Sequence, residues 1–295
     1  MVVSMDVKPF RAPFIVGAPR SGTTLLRLML DAHPDLAIPA ETAFIPALLA
    51  ESARKPLDRP RFLKIVTEFS TWQDFHLSSE TLAHRLDKIE PFTLADGLRA
   101  FYSLYAERFG KSRWGDKTPD YGFHTEGIGA VLPEARFVHI IRDGRDVAVS
   151  LRNLWFAPSR DFAVLAADWV RRIRSLRGWG RERPDYLEIR YEELVAVPEI
   201  ILRTVCNYLN LVFDPCQLEH HRNAESRIAE HEGRKNSDGH WWLTKEARRA
   251  QQSSTLHPAH TGRIGLWKTV FSPEDHARFL QNAGELLREL GYEIQ

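Results

Sequence analysis

The chain has 295 residues, 40 Lys and Arg against 39 Asp and Glu, and 43% hydrophobic residues. A formal net charge of +1 lacks the basic excess of nucleic-acid binders, and ordinary apolar, glycine and proline shares exclude disorder and collagen-like repeats. The two cysteines, Cys206 and Cys216, cannot build a disulfide framework or a four-thiolate zinc site. No run of eighteen apolar residues offers a membrane span, and the first ten residues lack the apolar stretch of a secretory leader. A soluble, cytoplasmic protein is expected, with one or two domains.

In chain order, Pro13-Phe14-Ile15-Val16 is a short apolar run ending at Gly17 and reads as a strand buried on both faces. A helix is expected from about Gly22, with Leu25, Leu26, Met29 and Ala32 at helical spacing, stopping near His33-Pro34. Leu36-Ala37-Ile38 reads as a second strand, and 43–110 as a loop region whose aromatics (Trp72, Phe75, Phe101, Tyr102, Tyr105) mostly belong to the core. Trp155 and Phe156 complete that aromatic set, which could also line an apolar pocket. Arg136–Ile141 repeats the strand grammar, followed by a helix capped by Asp143 with Val147, Leu151 and Leu154 on one face. The arginines between 171 and 183 spread round a helix and read as a solvated face.

Tyr186–Tyr191 reads as a third strand, leading after Pro198 into an apolar helix. Residues 215–262 are polar and hold six of the twelve histidines: His220, His221, His231, His240, His257 and His260. Their spacing fits no zinc pair or finger, so a solvated lid or insertion is expected. The final helix has Ser272 as cap and Pro273 in its first turn. Strands alternating with helices give an α/β fold with a parallel sheet.

Gly17-Ala18-Pro19-Arg20-Ser21-Gly22-Thr23-Thr24 lies where the first strand turns into its helix. Glycines there admit close approach of a ligand, and helix-start N–H groups point at an anion. The spacing is that of a Walker loop, yet Thr23 stands where its lysine would be, and the basic residue is Arg20. The Walker lysine serves the β and γ phosphates. A loop without it suits a nucleotide with one 5′-phosphate and another transferable group.

This loop, continued by Leu30-Asp31-Ala32-His33-Pro34-Asp35, resembles the 5′-phosphosulfate loop of the sulfotransferases, most closely the tyrosylprotein and Golgi-type branch. These enzymes use 3′-phosphoadenosine 5′-phosphosulfate (PAPS) and release PAP. The resemblance implies one sulfotransferase domain over 1–295, a P-loop-like three-layer fold with a central parallel sheet flanked by helices, and no metal. It gives the donor contacts to Pro19, Arg20, Ser21, Gly22, Thr23 and Thr24. Arg142 and Ser150, eight residues apart, match the segment for the 3′-phosphate. Tyr191 falls where the tyrosylprotein branch has a tyrosine near the nucleotide. Gly265-Leu266-Trp267-Lys268 resembles a carboxyl-terminal nucleotide segment of the cytosolic branch, and Lys268 is a donor contact by that likeness. There the family's Arg-Lys-Gly is replaced by His260-Thr261-Gly262, with Arg263 next in line to substitute. A serine of the tyrosylprotein branch before this region could match Ser253 or Ser254.

Sulfuryl transfer asks for a base on the acceptor and positive charge on the phosphosulfate. Glu41 stands twenty-one residues after Arg20, as the general base does in the tyrosylprotein branch. Lys117 lies in a Lys-Thr-Pro segment resembling the Golgi-type lysine that meets the sulfuryl or bridging oxygen. Glu41, Arg20 and Lys117 are therefore the expected catalytic set. His124 and His33 are the histidine alternatives, the latter better suited to capping a helix end. The expected acceptor is the hydroxyl of a small molecule, lipid or carbohydrate, in a pocket shaped by 43–110 and by the lid or acceptor loop 215–262. The rivals are protein-tyrosine sulfation, a non-catalytic nucleotide sensor, and a kinase-like ATP-dependent transferase.

Overall fold

The computed structural model describes residues 10–235, 238 and 240–294. The run read for a leader lies, but for Phe10, outside them. The first half of the chain forms β1 (Ala12–Val16), α1 (Thr23–Asp31), β2 (Leu36–Ala37), α2 (Ile45–Ser52), α3 (Arg59–Thr67), α4 (Ser79–Asp87), α5 (Leu94–Glu107), β3 (Arg113–Trp114), β4 (Asp116–Lys117), α6 (Thr125–Val131), β5 (Ala135–Ile141) and α7 (Gly144–Leu151). The second half adds α8 (Phe162–Gly180), β6 (Tyr186–Arg190), α9 (Tyr191–Ala196), α10 (Pro198–Tyr208), α11 (His221–Ile228), β7 (Arg234–Lys235), β8 (Trp241–Leu243), α12 (Lys245–Ala250), α13 (Trp267–Val270) and α14 (Pro273–Glu289). No described helix is long and apolar enough to cross a membrane.

The central sheet has the order β4-β1-β5-β6, all parallel, with Phe14 opposite both Asp116 and Phe137, and Val138 opposite Leu187. Period-two alternation sends Phe14, Val16 and Phe137 into one core with α2–α5, and Ile15, Val138 and Ile140 into another with α1, α9 and α10. A third cluster packs Ile141 and Val147 with Trp169 of α8 and Phe279 and Leu286 of α14. Helices cover both faces, the three-layer arrangement expected of a parallel sheet.

Three expectations change. The strand at Leu36–Ala37 forms, but it pairs with Arg113–Trp114 in a separate two-stranded ladder. The central edge is β4, too short for a periodicity signal. Residues 43–110 are four helices, three of them capped by Asp58, Ser78 and Thr93. Their aromatics meet edge to face in the core, as Phe44 and Phe101 do at 5.0 Å. The helix after Asp143 stops at Leu151, before Leu154.

The polar stretch 215–262 is not simply solvated. It straps across the carboxyl ends of the strands and is pinned by buried ion pairs. Arg227 donates to both oxygens of Asp31 at 2.7 and 2.8 Å, and Arg234 and Arg248 both reach the fully buried Asp74. Arginines 171 and 174 are exposed, as the pattern of α8 required.

Four histidines are buried, and burial lowers each of them, His33 included. Burial pushes His139 to about 3 and His220 to about 4, and burial with the nearby Arg27 and Arg248 pushes His231 to about 3. The unfolded chain binds protons at these rings below pH 6.5 while the folded chain binds fewer, so they lose stability as pH falls. Asp116, raised by burial to about 6, acts in the opposite direction, as do Asp146 and Glu192, also raised by burial, three carboxyls against four histidines. Chemical denaturation at pH 7 and pH 5 is therefore expected to give a lower midpoint at pH 5.

Candidate active site

Every central strand delivers its contribution at its carboxyl end, where parallel α/β sheets bind ligands. The loop after β1 turns on two glycines. At Gly17, with φ +149°, a Cβ would lie 2.6 Å from the Ile140 carbonyl; at Gly22, with φ +98°, it would lie 2.5 Å from the Tyr191 ring. No side chain but hydrogen lets the loop sit this close to β5 and α9. The loop opens α1, whose first turn carries no acid, so its N–H groups face outward as anion donors. The Ser21 hydroxyl is buried without a hydrogen-bond partner among the described residues. Thr23 and Thr24 line the cavity over the loop, and Pro19 lines the adjoining one.

Three arginines converge on the loop. Arg20 Nε donates to Ser150 Oγ at 3.0 Å, and its Nη2 donates to the Gln251 carbonyl at 3.3 Å. Arg142 follows β5 and donates to the carbonyls of Arg20 and Arg263, at 3.1 and 2.6 Å. Its guanidinium stands 4.4 Å from the centre of the Tyr191 ring, and the ring's phenol is pushed up by burial. Burial, then Arg263 and Arg142, lower Arg20 to about 10, with Glu41 working the other way. Cations that depress one another in this way form a pocket suited to an anion.

The sequence-predicted donor residues thus come together: Arg20, Gly22, Thr23, Thr24, Arg142, Ser150, Tyr191 and Arg263 line one cavity. Ser254 lines it too, whereas Ser253 lies on its outer side. Lys268 is not brought there. Asp146 accepts from the N–H groups of Gly265 and Trp267 at 2.8 and 3.0 Å, and Trp267 packs under Arg145 at 3.8 Å. That anchoring leaves Lys268 on the exposed side of α13, lining a groove with Asp143 and Glu192.

Glu41 and Lys117, 76 residues apart, meet at 2.6 Å (Oε1 to Nζ). The lysine side chain is 3% exposed and the glutamate 48%. Burial lowers the Lys117 ammonium, and Glu41 holds it up in part. The pairing follows from the alternation of β4: Asp116 turns into the core while Lys117 faces the site. Asp116 accepts from Thr42 Oγ1 at 2.7 Å and from Tyr102 OH at 2.9 Å, and Thr42 N donates to Thr118 Oγ1 at 3.1 Å. These bonds lock the Glu41 and Lys117 segments side by side.

Beyond Glu41 opens a second cavity of about 460 Å³. Trp155 and Phe156 line it, while the other aromatics singled out from the sequence are in the core. His231, Arg248, Gln251 and Gln252 also line it. Sequence reasoning assigned the stretch 215–262 to the acceptor pocket but did not single out these four as site residues, since they carry no motif. His124 is exposed at the start of α6, outside both cavities. His33 caps the turn after α1, accepting from Asp35 N at 3.0 Å.

A parallel sheet, a glycine-rich loop feeding a helix and a cationic pocket define a P-loop-like α/β group-transfer enzyme. The model of the sulfotransferase family matches residues 13–215. Protein-tyrosine sulfotransferase 1 of Danio rerio is 29% identical over 285 residues, covering 95% of this chain and 72% of that protein. The sulfotransferase domain of the Synechococcus PCC 7002 olefin synthase superposes with a TM-score of 0.63 at 21% identity, covering 97% of this chain and 96% of that one. A mouse sulfotransferase solved with PAP gives 0.52 at 15% identity, covering 95% and 86%. The chain belongs to the sulfotransferase family and is an enzyme of it, as its resemblance to the PAPS-dependent enzymes implied.

Proposed function

We propose that this sulfotransferase takes its sulfuryl group from PAPS and passes it to the hydroxyl of a small molecule, lipid or carbohydrate, releasing PAP. The observation that carries the reading is the Glu41–Lys117 pair, 2.6 Å apart, between a cationic cavity and a second, mixed one. The donor suits the first cavity: loop N–H groups and Thr23 and Thr24 serve a 5′-phosphate, and Arg142, Ser150 and Arg263 serve a 3′-phosphate. PAP in the mouse relative of the same fold supports that choice.

Glu41 takes the acceptor's proton as the acceptor oxygen bonds to sulfur and the bond from sulfur to the phosphate oxygen breaks. Lys117 and Arg20 neutralise the charge left on that oxygen. Before the donor arrives, the lysine and glutamate neutralise each other; a sulfuryl group beside Lys117 competes for its hydrogen bond and frees the carboxylate to act as base. Protein tyrosine is the second reading for the acceptor, supported by the activity named in the Danio rerio relative.

Thermal unfolding with PAP and with ATP, each with and without Mg²⁺, tests the donor. At a hundredfold excess over its dissociation constant, PAP is expected to stabilise by about 2.7 kcal/mol, raising Tm by several degrees without Mg²⁺ and more than ATP does. A shift with ATP and Mg²⁺ alone would instead favour the kinase-like transferase.

A further inference from the structure

The walls of the second cavity differ in chemistry, and the difference bears on the acceptor. This inference rests on the sulfotransferase reading of that site. One side is a rigid aromatic corner. Trp155 meets Phe156 at 5.1 Å and Trp242 at 4.7 Å, both near perpendicular. Edge-to-face packing fixes the indole while leaving Trp155 54% exposed.

The other side offers hydrogen bonds without free charge. His231 is 7% exposed, and its Nδ1 lies 3.0 Å from the Ile228 carbonyl. A carbonyl only accepts, so Nδ1 holds the proton, and in the neutral ring Nε2 keeps its lone pair. No group of the described residues donates to Nε2, and the side-chain amide of Gln252, in the same lining, makes no hydrogen bond with them. Two cations line the cavity among the described residues: Arg20, turned to Ser150 and the Gln251 carbonyl in the donor pocket, and Arg248, committed to Asp74 with both contacts at 2.8 Å. A wall for an acidic peptide would present uncommitted cations, and a wall for an acyl chain would lack the histidine and amides.

The geometry points to a polyhydroxylated ring, a sugar, as the acceptor: its C–H face lies on Trp155, a hydroxyl other than the sulfated one donates to His231 Nε2, and one at Glu41 reacts. His231 is then a specificity-determining residue. Nothing in its role requires proton transfer.

Binding tests this without relying on turnover. Methyl glycosides of glucose, galactose, mannose and N-acetylglucosamine are compared with cyclohexanol, a ring with one hydroxyl, by saturation-transfer NMR on the full chain with and without PAP. At least one glycoside is expected to bind about tenfold more tightly than cyclohexanol, one good hydrogen bond being of that order. His231→Phe is expected to remove that advantage and His231→Gln, which keeps an acceptor oxygen, to restore most of it. Trp155→Ala, at an exposed position, is expected to weaken the glycoside about tenfold, so the test survives if His231→Phe misfolds. Cyclohexanol binding as tightly as every glycoside, no binding of either, or a glycoside advantage untouched by all three variants overturns the proposal. Calorimetry with PAP on the same samples judges the donor separately. Absent PAP binding sinks the sulfotransferase reading of the first cavity, whatever the sugars do.

Discussion

Glu41→Gln is expected to lower kcat by about 10²–10⁴, the usual contribution of a positioned general base, while PAP affinity stays within about twofold. The split follows from where the residue stands. Glu41 lines the acceptor cavity and acts on the phosphate loop only through its charge near Arg20; among the described residues its one hydrogen-bonded partner is Lys117. The amide keeps the size and the hydrogen bond to the lysine but cannot take a proton. Single-turnover rates with radiolabelled PAPS, beside calorimetry with PAP, separate the two effects. Unchanged turnover would remove Glu41 as base; the histidine alternatives read from the sequence, His33 and His124, stand outside the cavity, which leaves His231 in its lining.

The largest stability effect is expected at Arg227. Its guanidinium donates to both oxygens of Asp31 and to the Tyr105 hydroxyl at 2.7 Å, and it forms an ion pair with Glu230 at 3.0 Å, all out of water. Burial by itself would raise the Asp31 carboxyl, but Arg227, Lys111 and Arg27 outweigh it and hold the group below its ordinary value. Arg227→Met leaves that carboxylate buried with weaker partners. Removing one member of a buried pair costs about 3–5 kcal/mol, a fall in Tm of roughly 10 °C at the size scaling of a chain like this. The double variant Arg227→Met with Asp31→Asn is expected to recover part of the loss, since no unpaired charge remains. Thermal unfolding of the three variants at pH 7 measures both effects.

What the sequence disclosed was local. Pro13–Val16 and Arg136–Ile141 were legible as strands because they are mostly apolar and buried on both faces; in Tyr186–Arg190, mostly half-buried, Leu187 and Ile189 alternate with Glu188 and Arg190. The loop was legible because its glycines and its misplaced cation are adjacent in sequence. β4 was not: two residues carry no period, and Asp116 and Lys117 look like surface charges until the sheet buries them. The helices of 43–110 were missed although Asp58, Ser78 and Thr93 offered caps, since no single strong stripe announced them. His231 and Gln252 were illegible for another reason. Their role depends on ion pairs from Arg227 and Arg248 to acids 196 and 174 positions away, and spacing says nothing about such pairs. Lys268 shows the reverse error, a motif match whose side chain the Asp146 anchor turns outward.

Residues 231–263 line both cavities, and Gln252 belongs to each. Between Gln252 and Arg263 the backbone spans from the acceptor wall to the arginine pocket, so one residue more or less would shift the two reactants relative to each other. Lineages of this enzyme that change what they modify are thus expected to keep a fixed residue count in this stretch, because the donor and the acceptor are held in register by it.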